Sequence, residues 1–303
     1  MVLEDILVGS TMILVSAACL LLNGLVLTTI ASFADFYIHS SYRLMLLMGV
    51  FDVAQLVVHL ATGLFTVLQF EAGYTTYSIL GAIQSASYEC YILVTVLLAF
   101  NRFALLCCRR AEHIFFCPKA DKFWTYSTLV VFCSVFGVHV TNNIYTSYSI
   151  DSFKWIYDYS FPWSQTWQTI LMWYQVSGVL IAWLFYIAIF VYLLQYRKHG
   201  DSVARFMANR KILIHAFVIT IYCSVLNIVW HTVQRFLPSD VHLAFFAINT
   251  MWIGNSALSP ILCLSLNRLV RKRVLKLIHP SHATTTPVRS IDRGISSSQH
   301  TKK

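Results

Sequence analysis

Charge is what this 303-residue sequence has least of: only 12% of its residues are Asp, Glu, Lys or Arg, against about 25% in an ordinary soluble domain. With 57% hydrophobic residues and a mean hydropathy of +0.64, too little polar surface remains to cover a water-soluble core. Enzyme signatures are also missing. There is no H-E-x-x-H, no G-x-S-x-G, no P-loop and no dinucleotide fingerprint, so no catalytic residue is assigned. The eleven His residues form no metal-ligand spacing within the apolar runs, and neither a metal nor a cofactor is expected. No Lys lies in the interior of those runs, which excludes a retinal Schiff base. No N-x-S/T acceptor is present to report topology by glycosylation.

What the sequence does have is seven apolar segments, each longer than the ~20 residues that a helical crossing needs. They run from about Ile6 to Phe33, Tyr42 to Phe70, Ser78 to Leu106, Phe123 to Tyr145, Trp167 to Tyr196, Lys211 to Phe236 and Val241 to Leu266. Of 22 Lys and Arg residues, all but Lys154 and Arg235 fall in alternate gaps, in the C-terminal tail, or, as Arg43, Arg102 and Lys211 do, at the run ends that border those gaps. Short cytosolic loops carry the Lys/Arg excess, so one orientation fits: N-terminus outside, seven crossings, C-terminus inside. The net charge of +9 then reads as anchoring to the anionic inner leaflet and not as nucleic-acid binding. The eight cysteines agree. Cys107, Cys108 and Cys117 fall in an inner loop and the rest inside apolar segments, so no external disulfide framework is available.

The opening residues lack a basic n-region and a cleavage site, and the first run is read as a membrane helix. After the seventh run, Val270, Val274, Leu277 and Ile278 recur at helical spacing among Arg268, Arg271, Lys272 and Arg273. This predicts an amphipathic surface helix over 267–278, ended by Pro280. The receptor domain is thus 1–278, and 279–303 reads as a disordered cytoplasmic tail. No internal repeat of the kind transporters show is found.

A charge at mid-membrane costs roughly 2.5–3.5 kcal/mol on insertion scales, which singles out Asp52 and Glu89. Asp52 is placed to face Asn23 and Asn255, with Ser259 and Pro260 nearby, as a buried polar switch. For Glu89 no strong partner emerges. In the outer halves Tyr88, Glu89, Trp173, Tyr174, Trp230, His231, Gln234, Phe246, Asn249 and Trp252 are candidate lining for a small-molecule pocket. Trp155, Trp163 and Trp167 read as interface aromatics, and His59, His139 and His215 as packed, hydrogen-bonded histidines.

These residues resemble a known pattern. Ser41-Tyr42-Arg43-Leu44-Met45 followed by Met48-Gly49-Val50-Phe51-Asp52, then Leu98-Ala99-Phe100-Asn101-Arg102-Phe103, then Leu264-Ser265-Leu266-Asn267-Arg268 are similar to nematode serpentine chemoreceptors of class T, with class X the nearest competitor. The resemblance implies an all-α seven-helix bundle of G-protein-coupled receptor type and a small-molecule ligand bound outside. It implies a heterotrimeric G protein engaged inside through Asn101, Arg102, Phe103, Arg109, Arg110, Arg205, Arg210 and Arg268. The expected location is the plasma membrane of sensory cells, in cilia for a chemosensory role. Asn23, Asp52, Arg102 and Pro260 match the broader rhodopsin-like landmarks, while Asn101 stands where an acid is usual and Ser259 where Asn is usual. The outer segment before the first helix is short for class T, which suggests a truncated gene model. A membrane transporter or channel is the alternative expectation.

Overall fold

A backbone inside hydrocarbon finds no water, so each crossing must close its own hydrogen bonds as a helix. The computed structural model describes residues 2–196, 200–236 and 241–278. Seven long helices cross the bundle: α1 (Val2–Ser32), α3 (Ser40–Leu68), α4 (Tyr74–Cys107), α6 (Pro118–His139), α7 (Ser164–Tyr196), α8 (Gly200–Phe236) and α9 (His242–Leu266). The short helices α2 (Ala34–Tyr37) and α5 (Arg109–Phe115) sit in inner loops, and α10 (Arg268–Ile278) follows α9. Five of the long helices, α1, α3, α4, α7 and α8, qualify as membrane spans by length and hydropathy alone. The α6 and α9 helices are more polar. Asn249, Asn255, Ser256 and Ser259 of α9 are all buried, so the polarity that lowers its hydropathy faces protein and not lipid.

The α4 helix is the central element, packed against α3, α6, α7 and α8, while α1 lies against α3, α9 and α10. The α1 and α3 helices approach backbone to backbone at two glycines. A Cβ on Gly9 would lie 2.9 Å from the Gly63 carbonyl oxygen, and one on Gly63 would lie 3.2 Å from that of Gly9. Small residues let membrane helices pack this closely, where van der Waals contact replaces the hydrophobic drive. Outward, Leu14, Leu21, Leu64, Leu129, Leu184 and Ile228 are exposed, the apolar belt that lipid solvates.

Several ends differ from the sequence expectation. The α6 helix stops at His139 and not near Tyr145, because the Thr141 hydroxyl binds the Val138 carbonyl at 2.7 Å and the Asn142-Asn143 pair favours turns. The α8 helix begins at Gly200, well before Lys211, and its 37 residues reach ~55 Å at 1.5 Å per residue. That exceeds the ~30 Å hydrocarbon core, so the basic first turns project beyond the membrane.

The fold is not entirely helical. The second outer loop holds an antiparallel hairpin, β1 (Thr146–Ser149) and β2 (Lys154–Tyr157), with Thr146 opposite Tyr157 and Ser149 opposite Lys154. Buried Phe153 in its turn has φ 52°, a left-handed conformation that a bulky residue adopts only when its surroundings hold it there.

Candidate functional site

The hairpin forms the outer wall of a cavity between α4, α6, α7, α8 and α9. Gly81 of α4 permits the approach: a Cβ there would sit 2.1 Å from the Thr146 hydroxyl and 3.3 Å from the Trp155 ring. No disulfide ties the hairpin down, since all eight cysteines are free. Hydrogen bonds do so instead. The Asn249 amide donates to the Phe153 carbonyl at 2.8 Å, and Thr66 and Tyr148 share a hydroxyl contact at 3.1 Å. Lys154, one of two cations outside the basic pattern, lies 3.7 Å from the Phe245 ring centroid. Burial lowers its ammonium pKa from the ordinary value. Burial also pushes the Tyr157 phenol above its ordinary range, with Glu89 adding to the shift.

The cavity encloses about 70 Å³. Glu89, only 1% exposed, reaches it from the middle of α4. The Gln175 amide donates to Glu89 Oε1 at 2.6 Å, and the Gln175 carbonyl oxygen lies 3.0 Å from His231 Nε2. Gln175 is thus the partner that sequence reasoning missed. Glu89 Oε2, Gln84 Oε1 and both ring nitrogens of His139 are buried without a hydrogen-bond partner, and all three residues line the cavity. The inward floor is aromatic: the Trp252 ring lies 4.9 Å from Tyr88 and 4.7 Å from Trp230, the latter edge-on.

Of the expected lining residues, Tyr88, Glu89, Trp230, His231 and Trp252 meet here. Trp173 does not. Leu171 and Gln175, four residues apart, point inward, so Trp173 halfway between them turns to lipid and is 62% exposed. Tyr174 is half-buried and donates to the Glu89 backbone carbonyl at 3.4 Å outside the cavity. Phe246 packs in the cluster beneath the hairpin, and Asn249 braces Phe153. The Gln234 side chain lies outside the described residues. Two readings need correction. Trp155, expected as an interface aromatic, is buried on the cavity wall, and His139, expected to be hydrogen-bonded, makes ring contacts with Tyr157 and Trp167 but no hydrogen bond. Both follow from the hairpin, which folds inward against α4. His59 and His215 do have partners, Gln84 at 3.0 Å and the Ser259 carbonyl at 3.1 Å.

Inward of the floor lies the buried polar layer. Pro260 has no N–H, so the Ser256 carbonyl four residues earlier loses its intrahelical donor. Asn23 of α1 supplies the replacement, donating its amide at 3.0 Å. Asn255 accepts from the Tyr91 hydroxyl at 3.2 Å. Asp52 is fully buried, but it bonds neither Asn23 nor Asn255 as the sequence suggested. Its carboxyl interacts with the Ser256 hydroxyl, yet neither group makes a hydrogen bond of ordinary geometry. Asn23 is already committed to two carbonyls, those of Cys19 and Ser256, and so is not free for Asp52.

The family model for the serpentine type 7TM GPCR chemoreceptor Srt matches residues 2–286. The chain belongs to the Srt family. It is therefore a multi-pass membrane protein of a receptor family and not of an enzyme family. No curated protein matches it.

At the inner end of this Srt bundle, Arg102 is 1% exposed and none of its three guanidinium nitrogens has a hydrogen-bond partner. Tyr186, Tyr42 and Glu112 lie within electrostatic range. Asn101, in place of an acid, serves the α3 entrance: it donates to the Ser40 hydroxyl and accepts from Ser41, each at 2.9 Å. Phe103 packs on Phe185, and Arg109, Arg110, Arg210 and Arg268 are exposed. The Arg205 side chain lies outside the described residues. Two ion pairs missed in the sequence, Arg43 with Asp121 and Arg273 with Asp35, tie the inner loops and α10 to the bundle. Asn267 caps α10 through the amides of Leu269 and Val270, and Arg271 binds the last α9 carbonyls, of Leu264 and Ser265.

Proposed function

We propose that this Srt protein is a chemosensory receptor of the plasma membrane of sensory cells. It binds a small-molecule cue in the cavity under the hairpin and signals to a heterotrimeric G protein at the inner face. The observation that carries the reading is the cavity itself: a concave, aromatic-walled space with a few uncommitted polar atoms, the general form of a small-ligand site. At the opposite end Arg102 supports coupling. A buried guanidinium without partners is costly, and carboxylates or carbonyls of a docking protein would satisfy its rigid fork. A transporter needs a polar path through the membrane. Among the described residues the cavity instead closes on the rings of Tyr88, Trp230 and Trp252.

The test is a ligand-evoked calcium or cyclic-nucleotide response in a heterologous cell. Arg102→Ala is expected to lower the maximal response at least tenfold while surface protein persists. An unchanged response from equal surface protein would remove Arg102 from the coupling face.

A further inference from the structure

The chemistry of the cavity narrows the ligand class, an inference that rests on the receptor reading above. Among the described residues lining the cavity there is no Lys or Arg, so Glu89 is the group able to bring a formal negative charge and no built-in cation answers it. One carboxylate oxygen is held by Gln175 and the other is uncommitted. Gln84 Oε1 adds a second free acceptor on the same helix. The rings of Tyr88, Trp155, Trp230 and Trp252 line the same cavity. Electron-rich ring faces attract cations, most strongly where water is excluded. An anionic ligand would meet Glu89 with no Lys or Arg and only the imidazoles of His139 and His231 to answer it, and a neutral alcohol would leave the carboxylate uncompensated.

We propose that the cavity binds a small organic cation, a protonated amine of single-ring size or smaller, with its ammonium donating to Glu89 Oε2 and Gln84 Oε1 within the aromatic walls. The cavity of about 70 Å³ is smaller than the ~150 Å³ that holds a benzene ring, so it takes the ammonium and the first carbons while a ring extends into the opening beside it. A second, wider opening shares Trp155, Tyr157, Gln168, Met172 and His231 with the cavity and carries Lys154, Gln165 and Thr169 at its rim. It gives the amine a route from outside between β2 and α7.

The experiment uses the full-length protein, purified into lipid nanodiscs, and reads the concentration dependence of heat stabilisation. The probes are isobutylamine, cyclohexylamine and 2-phenylethylamine, each beside the alcohol and the carboxylic acid of the same skeleton. Amines are expected to stabilise the protein at concentrations at least tenfold lower than the matched alcohols, with the acids inert. Glu89→Gln should raise the half-effective amine concentration at least tenfold and shift the alcohols less than threefold. Glu89→Asp, which keeps the charge, should retain the amine preference, and it serves if Glu89→Gln fails to fold. Equal potency of alcohols or acids, amine binding that survives Glu89→Gln, or no stabilisation by any amine would overturn the proposal. A cue-evoked, Arg102-dependent response in cells would leave the receptor reading standing in each of those cases, whereas its absence beside intact amine binding would overturn that reading alone.

Discussion

Pro260 and Asn23 offer the sharpest energetic test, because the reason for their contact is covalent. Leaving a buried carbonyl unpaired costs about 1–3 kcal/mol in general, but interhelical hydrogen bonds in membranes average only ~0.6 and reach ~1.7 kcal/mol. The Ser256 carbonyl has lost its helical donor to Pro260, and Asn23 is the donor recorded for it, so Asn23→Ala belongs at the upper end, about 1.5 kcal/mol. In a Pro260→Ala background the restored backbone N–H pairs with Ser256 within the helix, and Asn23→Ala should then cost only about 0.5 kcal/mol, roughly the weak membrane average. The cycle therefore predicts a coupling of about 1 kcal/mol, and the unknown cost of straightening α9 cancels from it. Buried Cys19, Cys90, Cys223 and Cys263 make a thiol-reactive dye a direct reporter of unfolding. All four proteins must be heated at one scan rate, since membrane-protein melting is operational. If Asn23→Ala costs the same in both backgrounds within ~0.3–0.5 kcal/mol, the limit of ordinary additivity, the orphaned-carbonyl explanation is refuted.

Two further outcomes follow from close contacts. Gly63→Ala places a methyl 3.2 Å from the Gly9 carbonyl oxygen and 3.2 Å from the Ile13 nitrogen; backbone cannot rotate away, so a loss of about 1–3 kcal/mol is expected, and an unchanged melting temperature would show that α1 and α3 do not pack through these glycines. Asn249→Ala should release the Phe153 carbonyl at a cost of about 1 kcal/mol and speed amide exchange across 146–157 while the spans keep their protection. Equal exchange in both proteins would mean that the hairpin is held by other contacts.

The spans were legible because lipid imposes a length and a composition that soluble folds do not, and the alternation of cations pointed to their orientation. Helix ends were less so: the first turns of α8 carry Arg205 and Arg210, which a hydropathy window counts against a span although a helix in water tolerates them. The hairpin was invisible for a different reason. Its strands are four residues each, too short for an alternation to register, and its burial depends on Gly81 in another element. The errors at Trp155 and His139 descend from that one omission. Glu89 was recognisable as costly from sequence, but its partner lies 86 positions away on α7, a separation that no local pattern encodes.

Cavity and inner layer meet on α9. Trp252 belongs to the floor and Asn255 to the polar layer, three residues apart and so on neighbouring positions of one helical face. Trp252 donates to Gln55 at 2.7 Å, and Asn255 accepts from Tyr91, whose ring stacks 6.1 Å from Tyr88. On the receptor reading proposed above, a ligand that prefers one position of Trp252 would also bias Asn255 and Ser256, three and four residues further along the same helix. Such a bias shifts an equilibrium only by the ligand's differential affinity for the two arrangements, so the inner arrangement must be inexpensive to change. The Asp52 carboxyl and the Ser256 hydroxyl interact without a hydrogen bond of ordinary geometry, so under that reading no strong bond would have to break before they found new partners.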